Sequence, residues 1–240
     1  MGNESFAATR WTLVVAAAQK DDAAPAMRAL TELCRSYWPP LYAYVRRQGY
    51  DQHTAEDFTQ EFFSRLLAKN YLADADRSKG KFRSFLLASL KHFLSNERER
   101  AHAQKRGGGE IAVSLDALSP EVRDRLEPVD NLSPEKAFDR QWAFTVLEQA
   151  LKRLRIEFTA GGRENIFESL KQFLTGDMRP ESYAGAGAKC GMSEGALKVA
   201  VHRMRRRYRD LLREEVAQTV ATPEEIDAEI RHLFAAFATA

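Results

Sequence analysis

Cysteine is scarce in this sequence: among 240 residues there are two, Cys34 and Cys190. They lie far apart and neither forms a CxxC or Cys/His pattern, so the sequence predicts neither a zinc site nor a disulfide framework. Unpaired thiols are the ordinary state in a reducing cytoplasm. We therefore expect a fold held together by its hydrophobic core, with no metal and no cofactor.

Long apolar runs are missing as well. No stretch approaches 18 apolar residues, and the first residues, MGNESFAATRW, lack the basic region and apolar core of a signal peptide. Phe6 stands where an N-terminal acylation motif requires Ser or Thr. The sequence predicts a cytoplasmic protein that has no membrane partner.

Motifs of assembled catalytic sites are absent too. The sequence contains no HExxH, no GxSxG and no GxxxxGK, and its five histidines are dispersed. A catalytic site needs a nucleophile, base or metal placed beside a stabilising group, and no such set is recognisable. We expect a binding protein rather than an enzyme.

Helical periodicity is what the sequence does contain. Strand-like alternation is absent, while apolar residues recur at steps of three and four through most of the chain. We predict an all-α fold of two helical modules joined by a linker that contains Gly and Pro. The predicted parts are an N-terminal helix in 1–24, a first module in 25–106, the linker in 107–132, a second module in 133–216 and an acidic C-terminal helix in 217–240.

Several helix starts can be predicted from capping residues. Thr54 and Asp57 form a variant capping box, and Ser133 precedes a proline suited to the first turn of a helix. Thr222 begins TPEE, which combines a capping box with a first-turn proline. A further short helix is expected over 9–19.

The most informative stretch is SYAGAGAKCGMSEGALKVAVHRMRRRYRDLLR, residues 182–213. Gly191 ends a short helical segment, and Ser193 can cap the next helix with Glu194 in its first turn. Small residues before the turn allow two helices to cross closely, as a helix-turn-helix requires. The second helix has one apolar stripe, made of Leu197, Val201, Met204, Tyr208, Leu211 and Leu212.

The opposite side of this second helix is basic. Between Glu194 and Arg213 there are seven Lys and Arg residues and two acidic residues. A basic amphipathic helix alone is most often a solvated surface helix. The preceding short helix and tight turn favour DNA binding, in which such a helix contacts phosphates and base edges.

A second basic helix is predicted earlier in the chain. From Lys81 to Arg106 there are again seven basic and two acidic residues, and Phe85, His92 and Asn96 share a face away from the apolar stripe. An exposed ring, imidazole and amide among cations suit a nucleic-acid strand whose bases are unstacked. The alternative is that Phe85 belongs to the core and His92 is an ordinary surface residue.

Two acidic features have open interpretations. The helix that follows Thr54 carries Asp57, Gln60 and Glu61 on one flank, which is either a wetted surface or a partner-binding face. The segment from Glu214 to the C-terminus has six acidic residues and one arginine. This segment could repel DNA, compete for the basic helices or pack its apolar side on the core, and packing is the interpretation that we favour.

Two basic helical modules joined by a Gly/Pro linker resemble the extracytoplasmic-function (ECF) sigma factors of bacterial RNA polymerase. YWPPLYAYVRRQGYDQHTAEDFTQEFFSRLL resembles the first part of the family's region 2, and GKFRSFLLASLKHFLSNERERAHAQKR resembles its promoter-melting part. MSEGALKVAVHRMRRRYRDLL resembles the recognition helix of region 4. The resemblance covers most of the chain and implies a transcription initiation factor that binds core RNA polymerase and opens promoter DNA.

The resemblance also implies roles for particular residues. Those implied to dock on the clamp coiled coil of the largest polymerase subunit are Asp57, Gln60, Glu61 and Phe62. Those implied to open and read the minus-ten element of promoter DNA are Phe85, Lys91, His92, Asn96, Arg98 and Arg100. Those implied to read the minus-thirty-five element are Ser193, Glu194, Lys198, His202, Arg203 and Arg206.

The sequence departs from the family pattern in several places. His92 stands where many members have Asn, and Asn96 where many have Asp; Gly185 and Gly187 replace the usual Glu and Ala. The long linker and the acidic tail are additions, and they could take over regulation from a separate anti-sigma factor, which is a further candidate partner. The alternative function is a helix-turn-helix transcriptional regulator that does not join polymerase.

Overall fold

The computed structural model describes residues 23–68, 81–105, 132–174, 183–220 and 222–238. Every regular element in these ranges is helical and no strand occurs in them, which confirms the predicted all-α fold. The predicted helix over 9–19 and the linker up to residue 131 lie outside the described residues. The helices are α1 (Ala23–Arg47), α2 (Gln52–Ala68), α3 (Phe82–Lys105), α4 (Pro134–Ala160), α5 (Glu164–Leu170), α6 (Tyr183–Lys189), α7 (Glu194–Ala217) and α8 (Ile226–Ala238).

The chain divides into two compact units. The first unit comprises residues 1–144 and 218–240, and the second unit comprises residues 145–217. The first unit therefore includes the beginning of α4 and the whole of α8, in addition to α1, α2 and α3. The functional division at residues 25, 107, 133 and 217 stays a prediction.

The core of the first unit is rich in aromatic residues. Apolar residues at steps of three and four place one side of each helix inside, and the Phe62 and Phe93 rings meet at 5.9 Å between α2 and α3. The α8 helix joins the same unit through the fully buried Leu233. The buried side chains of the other elements include Tyr37, Leu41, Val45, Phe63, Leu66, Phe82, Leu86, Leu90, Phe138 and Trp142.

The start of α2 differs from the prediction. The cap is Asp51 rather than Thr54: Asp51 Oδ1 accepts from the Thr54 backbone N–H at 3.0 Å, and Asp51 Oδ2 accepts from the Thr54 hydroxyl at 2.6 Å. These bonds hold the pKa of Asp51 below its usual range. The helix begins at Gln52 because a carboxylate that accepts two hydrogen bonds is a stronger cap than the hydroxyl two residues into the helix.

Two other predicted starts are confirmed. Ser133 Oγ accepts from the backbone N–H of Lys136 at 3.3 Å, and α4 begins at the following proline. Thr222 and Glu225 form the expected capping box around one turn of 3₁₀-helix, and α8 continues directly from it. Both starts depend on side chains within three residues of the cap, which is why local sequence was enough to predict them.

The second unit packs α7 against the end of α4 and the short helices. Its buried residues include Val146, Ala150 and Leu154 of α4. They also include five of the six residues of the predicted stripe of α7, namely Leu197, Val201, Met204, Leu211 and Leu212, while Tyr208 is half-buried. The Phe173 and Tyr183 rings stack at 4.8 Å, before and within α6. None of the helices in the described part of the chain combines the length and apolarity needed to span a bilayer.

Candidate nucleic-acid interface

The outer face of α2, which we define as Asp57, Gln60 and Glu61, lies on the surface of the first unit. Asp57 and Gln60 are exposed, and Asp57 Oδ2 lies 2.9 Å from His53 Nδ1 one turn earlier. Glu61 is half-buried and pairs with Arg65, whose guanidinium also reaches Glu97 Oε1 of α3 at 2.8 Å. Arg65 thus keeps a second carboxylate, so this face can change without breaking the link between α2 and α3.

Phe62 lies beneath this face rather than on it. Its side chain is 4% exposed and contacts the rings of Phe63 and Phe93 in the core. The helical pattern places Phe62 inside, and the structure agrees with that pattern. The interface role that the resemblance implies for Phe62 stays a prediction, and in the isolated chain the residue supports the outer face of α2 from below.

The outer face of α3, which we define as Phe85, His92 and Asn96, shows the arrangement expected from their spacing. His92 and Asn96 are exposed at an interval of four residues. Phe85 is half-buried, and its ring stacks on the buried Phe82 at 6.0 Å with 25° between the planes. Phe85 therefore combines the two alternatives for it, since one side of the ring contacts the core and part of it remains accessible.

Three exposed cations of α3 have partners within the first unit. Lys91 Nζ lies 2.7 Å from Glu135 Oε1, and this hydrogen bond raises the pKa of Lys91. Arg98 donates to the Tyr50 hydroxyl at 2.9 Å and to Gln48 Oε1 at 2.7 Å, while Arg100 donates to a carboxylate one turn earlier. Of these partners only Glu135 adds a negative charge that the count along α3 leaves out, since Tyr50 and Gln48 are neutral and Glu97 was already counted.

A buried charge cluster, which we define as Lys81, Arg83, Asp139 and Glu229, joins three elements of the first unit. Arg83 donates from Nε to Glu229 Oε1 at 2.6 Å and from Nη1 to Asp139 Oδ1 at 2.7 Å, and Lys81 also pairs with Glu229. The Arg83 guanidinium lies 4.8 Å from the centre of the Trp142 ring. The cluster links the residues at the start of α3 to α4 and α8.

Glu229 is fully buried in this cluster. Burial alone would raise the pKa of Glu229, but the hydrogen bonds and positive charges of Arg83 and Lys81 outweigh it, and the pKa lies below its ordinary value. Of the alternatives for the acidic tail, packing is what the structure shows. Pairing with basic residues at the beginning of α3 accompanies that packing.

In the second unit, α6 and α7 are joined by a tight turn at Gly191. Gly191 has φ of +64°, the Met192 N–H donates to the Gly187 carbonyl at 2.9 Å, and the Gly191 N–H donates to the Ala188 carbonyl at 3.3 Å. This is the Schellman geometry that ends a helix on a left-handed glycine. Ser193 Oγ then accepts from the Ala196 N–H at 3.3 Å, so Gly191 and Ser193 both act as predicted.

Gly187 is required by the close approach of α6 to this turn. A Cβ at Gly187 would lie 2.7 Å from the backbone oxygen of Met192. That separation is shorter than a van der Waals contact, and the Met192 oxygen is a backbone atom that cannot rotate away. The predicted need for small residues before the turn is therefore met at Gly187.

Side chains on the flanks of α7 fix this helix to the rest of the second unit. Arg207 donates to both oxygens of Glu157 at 2.6 and 2.9 Å, and Tyr208 donates to the Leu147 carbonyl at 3.1 Å. Burial raises the pKa of Tyr208 to about 12. Arg205 donates twice to the Phe173 carbonyl, at 2.9 and 3.1 Å. These contacts tie Arg205, Arg207 and Tyr208 to residues of the same unit and hold the helix in place.

The outer stripe of α7, which we define as Gly195, Val199, His202 and Arg206, lies directly opposite the buried stripe. All four residues are exposed, and Arg203 is exposed beside them. Within the described part of the chain, no hydrogen-bonding or charged partner is recorded for the side chains of His202, Arg203 and Arg206. The basic residues that remain accessible on α7 are thus concentrated around this stripe.

The remaining predicted residues of α7 lie at its first turns. The Ser193 hydroxyl accepts the capping hydrogen bond. Glu194 is exposed, and its Oε1 lies 2.6 Å from Lys198 Nζ. That pairing raises the pKa of Lys198, whose Nζ also lies 5.6 Å from the centre of the Tyr183 ring. Glu194 and Lys198 together form an exposed pair of opposite charges beside the outer stripe.

Sequence reasoning did not single out Val199 or Glu229. Val199 could have been found by projecting α7 on a helical wheel, since it lies between the accessible basic residues and away from Leu197 and Val201. Glu229 gave no local signal, because its partners Lys81 and Arg83 lie 148 and 146 residues away in the chain. No group of three potential metal ligands occurs among the described residues.

Comparison with known proteins found similarity to a protein named ECF RNA polymerase sigma factor SigE from Mycolicibacterium smegmatis. The two sequences are 28% identical over 196 residues, which is 81% of this chain and 65% of that protein. The chain therefore matches slightly less than two thirds of the length of this relative. No family model matches the chain, and no solved structure matches it.

Proposed function

We propose that the chain is a sigma factor of the ECF type, which binds core RNA polymerase and directs it to promoter DNA. The similarity to a protein named as such a factor, over 81% of the chain, supports this proposal. The structural observation that carries it is the presence of exposed polar faces on α2 and α3 in the first unit, in addition to the accessible basic residues of α7 in the second unit. A conventional helix-turn-helix regulator would need only the accessible basic residues of α7.

In this proposal α6 and α7 form a helix-turn-helix, and α7 enters the major groove at the minus-thirty-five element. Arg203 and Arg206 contact DNA directly, because their guanidinium groups are exposed and are not needed inside the unit. His202 lies beside them on the accessible side and reads a base edge or a phosphate. Arg205 and Arg207 act indirectly, by holding α7 in position.

The outer face of α3 binds the minus-ten element as a single strand. His92 and Asn96 supply hydrogen-bonding groups, and the accessible part of Phe85 supplies a surface on which a base can stack. Lys91 and Arg100 are held in exposed ion pairs, which contribute no more than about 1 kcal/mol each. Phosphate groups can therefore replace Glu135 and Glu97 as partners at little cost.

The outer face of α2 binds the polymerase, and its docking site is the clamp coiled coil of the largest subunit. The test is capture of purified core RNA polymerase by the full chain and by a variant that combines Asp57→Ala, Gln60→Ala and Glu61→Ala. A matched control combines Glu148→Ala with Glu99→Ala, which removes two exposed carboxylates from other elements.

We expect the full chain and the control to capture core polymerase and the α2 variant to lose at least ten-fold in affinity. Arg65 keeps Glu97 as a partner in the variant, so the fold of the first unit is expected to survive. Capture that is equal in all three proteins would contradict the docking face. DNA binding without any capture of core polymerase would favour the conventional regulator.

The DNA-binding role of α7 is tested by combining Arg203→Gln with Arg206→Gln, with Arg155→Gln as the control. Arg155 is an exposed arginine of α4 in the same unit, paired with Glu164 and Glu168. The double variant should bind promoter DNA more weakly. The slope of log K against the logarithm of the salt concentration should become about two less steep, since each phosphate contact contributes about one to that slope. An unchanged slope would show that these two residues do not contact phosphates.

A further inference from the structure

The first two turns of α7 present an apolar surface to solvent. Gly195 and Val199 are separated by four residues on the outer stripe, and Val199 is 50% exposed. Val199 is one of four large hydrophobic side chains recorded as exposed in the described part of the chain. The residue lies among Lys198, His202 and Arg203, so the apolar surface is bordered by polar and basic groups.

Nothing in the described part of the chain requires a glycine at position 195. Its φ lies outside the left-handed region, and a Cβ built on it would meet nothing within 4 Å. By contrast, Gly191 has a left-handed φ of +64°, and a Cβ at Gly187 would clash with the backbone oxygen of Met192. Glycine in a helix is also less favourable than alanine, so its presence at Gly195 is explained by something outside the chain that approaches the helix closely.

The chemistry of the major groove fits both residues. The C5-methyl group of thymine is the apolar group that the major groove displays, and aliphatic side chains recognise it by contact. We propose that Gly195 and Val199 together read a thymine in the minus-thirty-five element: Val199 packs on the thymine methyl, and Gly195 allows the α7 backbone to lie close to the edges of the bases. This inference rests on the proposed function of α7 as a DNA-reading helix.

The test begins with the full chain and core polymerase, which select duplexes from a random DNA library. In the selected duplex, each thymine of the upstream element is then replaced in turn by deoxyuridine, which lacks only the methyl group. We expect one replacement to weaken binding about three- to five-fold, as the loss of one buried methyl contact predicts. With Val199→Ala, the thymine and deoxyuridine duplexes should bind equally.

Gly195→Ala provides a second and independent readout. Alanine should leave the thermal unfolding midpoint unchanged or raise it, because the added methyl meets no atom of the described residues within 4 Å. Affinity for the selected duplex should nevertheless fall at least ten-fold, because the methyl occupies the space needed for close approach to DNA. A loss of affinity accompanied by a lower unfolding midpoint would contradict this explanation.

The outcomes separate this inference from the proposed function. If an upstream element is selected and every deoxyuridine replacement is tolerated within two-fold, the reading of thymine by Val199 is wrong while the role of α7 stands. The same conclusion follows if Val199→Ala retains the full penalty for deoxyuridine. If no upstream element is selected at all, both the proposed function of α7 and this inference are overturned.

Discussion

Replacing Glu229 with Gln tests whether the buried charge cluster holds α8 on the first unit. The substitution keeps the shape of the side chain and removes its negative charge. Arg83, whose side chain is 9% exposed, then keeps Asp139 as its carboxylate partner. Lys81 loses Glu229, the only carboxylate with which it forms an ion pair among the described residues. The result is excess positive charge in a buried position.

The expected cost follows from the burial of the partners. Removing one member of a buried ion pair costs about 3–5 kcal/mol, because the other member is left without compensation. Asp139 stays 2.7 Å from Arg83, and Lys81 is 30% exposed and can turn toward water, so we expect the lower end, about 3 kcal/mol. With a slope of roughly 2 kcal/mol per molar urea, the unfolding midpoint falls by about 1.5 M.

Tryptophan fluorescence during urea unfolding measures this change in the relevant unit. The three tryptophans are Trp11, Trp38 and Trp142, and none lies in residues 145–217, so the signal comes from the first unit. The control is Glu99→Gln, which changes an exposed carboxylate of α3 and should alter stability by no more than about 0.5 kcal/mol. A midpoint for Glu229→Gln equal to that of the control would refute the role of the cluster.

The pH dependence gives a second check on Glu229. Because its pKa in the folded chain lies below the ordinary value of 4.5, its ionised form stabilises the first unit at pH values above 4.5. This contribution is lost as the pH falls from 4.5 through the lower pKa of the folded chain. Glu229→Gln should therefore show a shallower decline of first-unit stability below pH 4.5 than the unchanged chain, and parallel declines would contradict the assignment.

Three further substitutions test other parts of the structure. Asp51→Ala removes the α2 cap and should lower the stability of the first unit by about 1 kcal/mol in urea unfolding, and a midpoint equal to that of the unchanged chain would count against the cap. Gly187→Ala should destabilise the second unit by about 1–3 kcal/mol through its clash with the backbone, and α6 amides whose hydrogen exchange is no faster would contradict this. Arg207→Gln should lower the thermal stability of the second unit. Arg206→Gln should lower the affinity for DNA, measured by fluorescence anisotropy, without changing that stability. Reversed effects would contradict the assignment of Arg207 to holding the helix and of Arg206 to contacting DNA.

Local patterns in the sequence were sufficient for much of the fold. The starts of α4 and α8, the cap at Ser193 and the glycine at the end of α6 all depend on side chains within a few residues of the bond that they form. The predicted start of α2 was wrong because Asp51 and Thr54 are both residue types that cap helices, and they stand three positions apart. The geometry of two hydrogen bonds to Asp51, which sequence spacing does not specify, decides between them.

The candidate site could be predicted only in part, because the state of each charge depends on distant partners. Counting along α7 makes Arg206 and Arg207 equivalent, yet Glu157, 50 residues earlier, engages Arg207. The acidic tail was expected to bury apolar residues, and the structure buries Glu229 beside Leu233. A carboxylate becomes stable in a core only when cations converge on it, and no local pattern reveals that convergence.

The most direct test of the proposed function is transcription in vitro by purified core RNA polymerase, with and without the full chain, on a library of genomic fragments. If the chain is a sigma factor, transcripts with defined start sites should appear only when it is present. The same start sites should weaken when Asp57, Gln60 and Glu61 are changed to Ala. Binding of the chain to DNA without any start site that depends on it would contradict the proposal and identify a regulator that does not join polymerase.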